Sequence, residues 1–174
     1  MKKFILLFVF AFSLLTSAFA QQGRDETLAN SYLEDGETDK AAELFQGLWE
    51  KNDYDLKFYQ PLYKCLLTLK KYDDLEKVVK KELKKNDNAP KYLIDLGYLY
   101  GQIPDADKAK EQYEKALKGL KPNEIAIRSM ANAFEDYRLY DYEIKVYEKG
   151  AKALHKEAYF SFEMAQAYLN TGDI

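Results

Sequence analysis

One histidine, one cysteine and scattered carboxylates are the side chains from which this 174-residue sequence would have to build chemistry. His155 stands in KALHKEAYF with no second strong ligand at metal spacing, so it reads as a solvent-facing loop histidine and not as a general base. Cys65 lies in PLYKCLLTL among apolar residues. That setting predicts a small buried hydrophobe, not a reactive or intermolecular thiol, and a single cysteine allows no intramolecular disulfide. The pair Asp73-Asp74 is explained by a helix start and has no acid/base partner. Glycine-rich phosphate loops, G-x-S-x-G and H-E-x-x-H are absent from the sequence. Residues 21–174 alone are therefore expected to be no enzyme and to carry no cofactor and no metal. What remains is the chemistry of binding, which depends on the elements that hold side chains in place.

Composition describes those elements. The chain is 47% hydrophobic and 32% charged, with 15 tyrosines and only 4 prolines, which suits a helical protein packed with aromatics. A formal charge of -3 lacks the basic excess that a nucleic-acid surface requires. Residues 1–20 are of a different kind: Met-Lys-Lys, then the apolar run FILLFVFAFSLL, then Ala18-Phe19-Ala20 as an A-x-A site. This is the layout of a cleaved secretory signal peptide, since the run is shorter than the roughly 20 residues that span a bilayer. No cysteine follows to take a lipid, so a lipoprotein anchor is not expected. The mature chain is expected to start at Gln21, to be exported, and to make no membrane insertion. Together with the lysine- and tyrosine-rich composition, that places it in the periplasm or at the outer surface of a bacterium.

The segment LIDLGYLYG, 93–101, carries a glycine where helical apolar spacing is densest, although glycine costs about 1 kcal/mol against alanine inside a helix. The pattern around it recurs. Leu96-Gly97 with Tyr100 returns 34 residues later as Met130-Ala131 with Phe134, and again as Met164-Ala165 with Tyr168. In the other direction it gives Leu62-Tyr63 with Leu66, then Leu28-Ala29 with Tyr32. A second set, Ala109, Tyr113 and Ala116, lies on one helix face, with Ala41, Phe45 and Leu48 as its counterpart 68 residues before. Turn signals lie between the sets at Asp35-Gly36, Pro104-Asp105 and Thr171-Gly172-Asp173. Each unit reads as helix, tight turn, helix.

This pattern resembles the tetratricopeptide repeat (TPR), whose 34-residue signature runs L-G-x-x-Y, then A-x-x-x-F, then a closing proline. Residues 90–123 match best, through Leu96, Gly97, Tyr100, Ala109, Tyr113 and Ala116, with Pro122 one place late. The implied framing is 22–55, 56–89, 90–123, 124–157 and a partial unit 158–174, all within a solenoid of 21–174. The expected fold is all-α, a right-handed superhelix of antiparallel helix pairs. Gly97 is then structural: it would let the first helix of its unit lie against the second near Ala109 and Ala116.

Some positions depart from the pattern. Tyr63 and Leu75 are bulky where small residues are wanted, and Pro61 lies near a helix start, so the first helix of unit two is expected to start late or bend. Glu143 takes a small-residue place in unit four, with Ile144 beside it as a substitute. Thr38 or Asp39 is expected to cap the second helix of unit one and Asp105 that of unit three. The run KKELKKND, 80–87, reads as a solvated helix end.

The resemblance implies a partner, since TPR arrays hold peptides or proteins in a groove lined by their first helices. It puts the fifth, ninth and twelfth places of each unit in that groove. The fifth places are Glu26, Gln60, Ile94, Arg128 and Phe162, and the ninth are Asn30, Lys64, Tyr98, Asn132 and Gln166. The candidate partner-binding residues are Asn30, Gln60, Lys64, Tyr98, Arg128, Asn132 and Gln166. Asparagine and glutamine can donate to and accept from a peptide backbone, and Lys64 and Arg128 can hold acidic groups. Arg128 with Asn132 is similar to the clamp by which some TPR domains grip a terminal carboxylate, but Glu26 is acidic where that clamp wants a base.

The sequence ends at YLNTGDI, before the second helix of a fifth unit. It is accordingly expected to be the N-terminal part of a longer protein. The leading expectation is a non-catalytic scaffold that binds a peptide or partner protein, with self-association through the C-terminal helix as a secondary one. The alternative is a sensor or recruiting region of a membrane signalling protein or exported hydrolase.

Overall fold

The computed structural model describes residues 21–52 and 55–172, which form helices joined by short turns, with no strand among the described residues. The predicted signal peptide, 1–20, lies outside them, as does Asp173. Residues 21–34 make α1. It is followed by α2 (Thr38–Lys51), α3 (Leu56–Thr68), α4 (Tyr72–Lys85), α5 (Pro90–Gln102), α6 (Ala106–Lys118), α7 (Glu124–Glu135), α8 (Tyr140–Leu154) and α9 (Ser161–Thr171). The starts of α2, α4, α6 and α8 advance in steps of 34 residues, and so do those of α3, α5 and α7.

The turns explain the regularity. After α1, Gly36 takes φ 76°, and the amide of Glu37 donates to the carbonyl of Tyr32. Lys70 and Arg138 occupy the equivalent places at φ 55° and 56°, with Lys71 donating to Leu66 and Leu139 to Phe134. This left-handed cap uses carbonyls that the helix end leaves unpaired and reverses the chain in three residues. Pro104 falls in the same register, where its ring forbids positive φ. There the chain leaves α5 through an extended Ile103, and Asp105 starts α6 by accepting from the Lys108 amide at 3.2 Å.

The chain divides into two compact units after Leu75. In the first, α2 packs against α3. Its core holds Phe45, Trp49, Phe58, Tyr59 and Leu62, each almost wholly removed from water, and each such burial stabilises by about 1.5–3 kcal/mol. Tyr63, Leu75 and Cys65 are buried too, and burial raises the Cys65 thiol pKa. Two local expectations are corrected here. The helix α3 starts at Leu56 and runs through Pro61, with Asp55 accepting from the Lys57 amide at 2.9 Å, so it does not start late. An early capped turn lets the helix carry the proline with the loss of one backbone bond. The residue before α2 is Glu37, which makes no side-chain cap; Thr38 and Asp39 already lie inside the helix, because the Gly36 turn ends there. In the run 80–87, which belongs to the second unit, every lysine is exposed, as a solvated helix face requires, and Glu82 and Leu83 are buried. Glu82 is 1% exposed, and its carboxylate accepts from the Asn86 amide at 2.8 Å.

In the second unit α5 packs on α6 and on α7, α7 on α8, and α8 on α9. The α5–α6 approach is as close as the glycine suggests, and the nearest atoms across it belong to Tyr113, between Ala109 and Ala116 on α6. A Cβ on Gly97 would come within 2.4 Å of the Tyr113 ring. The α7–α8 pair repeats the device in mirror order, since a Cβ on Gly150 would meet Ile127 at 2.7 Å. Aromatic rings then link successive helices. Tyr113 meets Phe134 edge-on at 5.7 Å and Tyr142 at 4.8 Å, and Tyr147 meets Phe160 at 5.1 Å. Glu143 and Ile144 are both buried, and Oε2 of Glu143 has no hydrogen-bond partner.

Candidate functional site

The ninth places of the second unit fall on three first helices: Tyr98 on α5, Asn132 on α7 and Gln166 on α9. Asn132 and Gln166 are exposed, and their amides make no hydrogen bond among the described residues. Tyr98 is half-buried and already engaged, its ring stacked on that of Tyr137 at 4.1 Å. The Tyr137 hydroxyl donates to Oδ1 of Asp95 at 2.6 Å, and Lys91 reaches Oδ2 at 3.1 Å. Asp95 is thus a buried carboxylate with a partner at each oxygen, which is the condition for keeping one there. In the first unit Asn30 and Lys64 are exposed and Gln60 is half-buried. None of these three has a side-chain partner among the described residues.

The fifth places behave differently. Ile94 is fully buried and therefore belongs to the core, not to a binding face. Arg128 is occupied. Its Nε donates to Glu124 at 3.0 Å, its Nη1 donates to Glu163 at 2.5 Å, and its guanidinium lies 5.3 Å from the centre of the Phe160 ring. Tyr159 completes the cluster by donating to Glu124 at 2.7 Å. The Tyr159 hydroxyl and then Arg128 hold the Glu124 carboxyl below its usual pKa, and Glu124 in turn raises Tyr159. An acidic group seeking Arg128 would have to displace two carboxylates, which argues against a carboxylate clamp here. Phe162, by contrast, is 80% exposed. His155 is exposed and ends α8 in a left-handed conformation at φ 55°.

Two surface notches follow from the repeat itself. One of about 430 Å³ is lined by Arg138–Tyr142 with Asn170 and Thr171. The other, about 280 Å³, is lined by Gly36–Lys40 with Leu69, three repeats earlier in the same register. A third, also about 280 Å³, lies between the start of α5 and the flank of α7. No group of three or more His, Cys, Asp or Glu that could hold a metal occurs among the described residues, and none of their helices is long and apolar enough to cross a membrane.

No protein-family model and no curated protein matches this sequence. Solved structures do. PcrH from Pseudomonas aeruginosa aligns with a TM-score of 0.53 at 19% identity over 65% of this chain and 86% of its own. PcrH in complex with the chaperone binding region of PopB gives 0.52 at 19%, over 65% and 91%. A thermophilic TPR protein of Thermus thermophilus, TTC0263, gives 0.49 at 20%, over 82% and 78%. The fold is of the tetratricopeptide-repeat type.

Within this TPR-type fold, several site residues escape a reading by place number. Asp95, Glu124, Tyr137 and Glu163 shape the first-helix face, yet the repeat signature singles out none of them. A usable signal is present: Arg128 and Glu163 are 35 residues apart, one repeat plus one, which sets opposite charges side by side on successive first helices. Lys57 and Glu26, paired at 2.6 Å, are 31 residues apart, one repeat minus three, and likewise set opposite charges on successive first helices of the first unit.

Proposed function

We propose that this chain is an exported, non-catalytic interaction scaffold that binds a peptide or partner protein on its first helices. The observation that carries the reading is the set of exposed, unpartnered polar side chains in one repeat register: Asn30 and Lys64 in the first unit, Asn132 and Gln166 in the second. Amide side chains left open at the same place of successive repeats offer a peptide backbone both donors and acceptors at regular intervals. Tyr98 and Gln60 contribute contact area beside them. Arg128 orders α7 against α9 and presents the rim of this face without binding an acidic group itself. The PcrH–PopB complex supports the reading to the extent that a protein of like fold is seen with a segment of another protein.

The test is site-specific photocrosslinking in cells that express the protein, with a crosslinker at Asn132, at Gln166, or at Glu111 on the outer flank of α6. A discrete protein adduct from the first two positions but not from the third supports the scaffold. Equal adducts from all three, or an adduct from Gln166 that Asn132→Ala leaves unchanged, sinks it.

A further inference from the structure

The third notch comes from a substitution within the repeat. At the third place of units two, three and five stand Phe58, Tyr92 and Phe160, all buried. Unit four has Ala126 there. The sixth and tenth places of that unit are also small, Ser129 and Ala133, where unit three has Asp95 and Leu99. The result is a notch of about 280 Å³ with Met130 and Pro90 among its walls and Lys91 and Lys121 at its edge. That is just below the roughly 300–1,000 Å³ of small-molecule sites and suits one large side chain.

Its charge is specific. Lys121 is exposed and makes no ion pair among the described residues, while Lys91 is held by Asp95. The Ser129 hydroxyl is exposed and likewise unpartnered. We propose that the α5–α7 notch receives one aromatic side chain from an acidic segment of a partner protein, which restores the third-place aromatic that unit four lacks. This rests on the scaffold reading above and names the chemistry of its partner. The ring would pack on Ala126, Met130 and Ala133, and a neighbouring carboxylate would pair with Lys121.

The test is fluorescence anisotropy of the full chain with labelled acetyl-Glu-Asp-Phe-Glu-Asp-amide, its Phe-to-Ala form and its all-lysine form. Saturable binding of the first, at least tenfold weaker binding of the second and no binding of the third are expected. Ala126→Phe should fill the notch from within, raise the melting temperature and weaken the acidic peptide at least tenfold. Lys121→Glu, on the surface and free of packing consequences, should weaken the acidic peptide about fivefold or more and favour the lysine form. Unchanged affinity in Lys121→Glu, or in a folded Ala126→Phe, overturns the proposal. So does concentration-dependent assembly abolished by Phe162→Ala, which would make a second copy the occupant. If the peptide fails while crosslinks at Asn132 and Gln166 persist, the notch reading falls and the scaffold stands.

Discussion

The ring of Tyr113 occupies the space in which a side chain at Gly97 would begin: a Cβ there would lie 2.4 Å from Cε1 and 2.6 Å from Cδ1. Gly97 thus sets how closely α5 and α6 approach, and its poor helix propensity is offset by packing. Gly97→Ala is expected to destabilise by about 1–3 kcal/mol in chemical denaturation, because the ring must move. Tyr113→Leu should recover part of that loss in the double variant. Gly47 and Gly101 are the controls, since nothing lies within 4 Å of a Cβ at either. Alanine there should stabilise by about 0.5–1 kcal/mol. Equal effects at Gly97 and Gly101 would refute the packing account.

That pair also shows how far the sequence could be read. The 34-residue period, the helix pairs and the close approach at Gly97 are legible because each follows from spacing along one chain. Which atom fills the space is not legible, since Ala109, Tyr113 and Ala116 share a helix face and only the packed geometry selects Tyr113. The candidate site divides in the same way. Exposed Asn132 and Gln166 follow from repeat register. Ile94 and Arg128 hold the same register, but one is drawn into the core by its apolar side chain and the other is claimed by carboxylates one repeat away. Helix starts are subject to the same limit, for Asp105 caps α6 whereas Thr38 falls inside α2 once Gly36 has made the turn.

Glu143 supplies a pH dependence. Burial, reinforced by Glu135, raises its carboxyl pKa from 4.5 to about 7, and Tyr147 on the same helix faces its charge. The folded state therefore binds a proton that the unfolded state releases. Its stability is complete below about pH 4.5 and declines as the pH rises towards 7, by a loss on the order of 3 kcal/mol. Glu143→Gln should flatten the stability profile across this window and raise the midpoint of unfolding at pH 8. A profile identical to that of the parent would show that Glu143 is not the titrating group.

The left-handed turns predict a stabilising change. Arg138 holds φ 56° at the place where Gly36 holds 76° in the first repeat. A side chain costs about 1–2 kcal/mol in that conformation, and glycine avoids the cost while gaining entropy when unfolded. Arg138→Gly should gain roughly 0.5–1 kcal/mol, and Arg138→Val should lose more than that, because β-branching crowds the same turn. Lys70→Gly should match the first result. Destabilisation by both glycine variants would mean that contacts of the long side chains outweigh backbone strain.

The Arg128 cluster predicts where the second unit opens first. The helix α9 is held partly by Phe160 packing on Tyr147 and partly by the Arg128–Glu163 pair, whose side chains are 39% and 24% exposed. A pair so placed contributes no more than about 1 kcal/mol, and salt screens it. Glu163→Gln should therefore leave global unfolding nearly unchanged while speeding hydrogen exchange across Ser161–Thr171 about two- to fivefold. Added salt should produce a similar acceleration in the parent and little in the variant. Faster exchange spread evenly over α5–α9 would instead make the pair part of the global core, and α9 would then be as firmly docked as the helices before it.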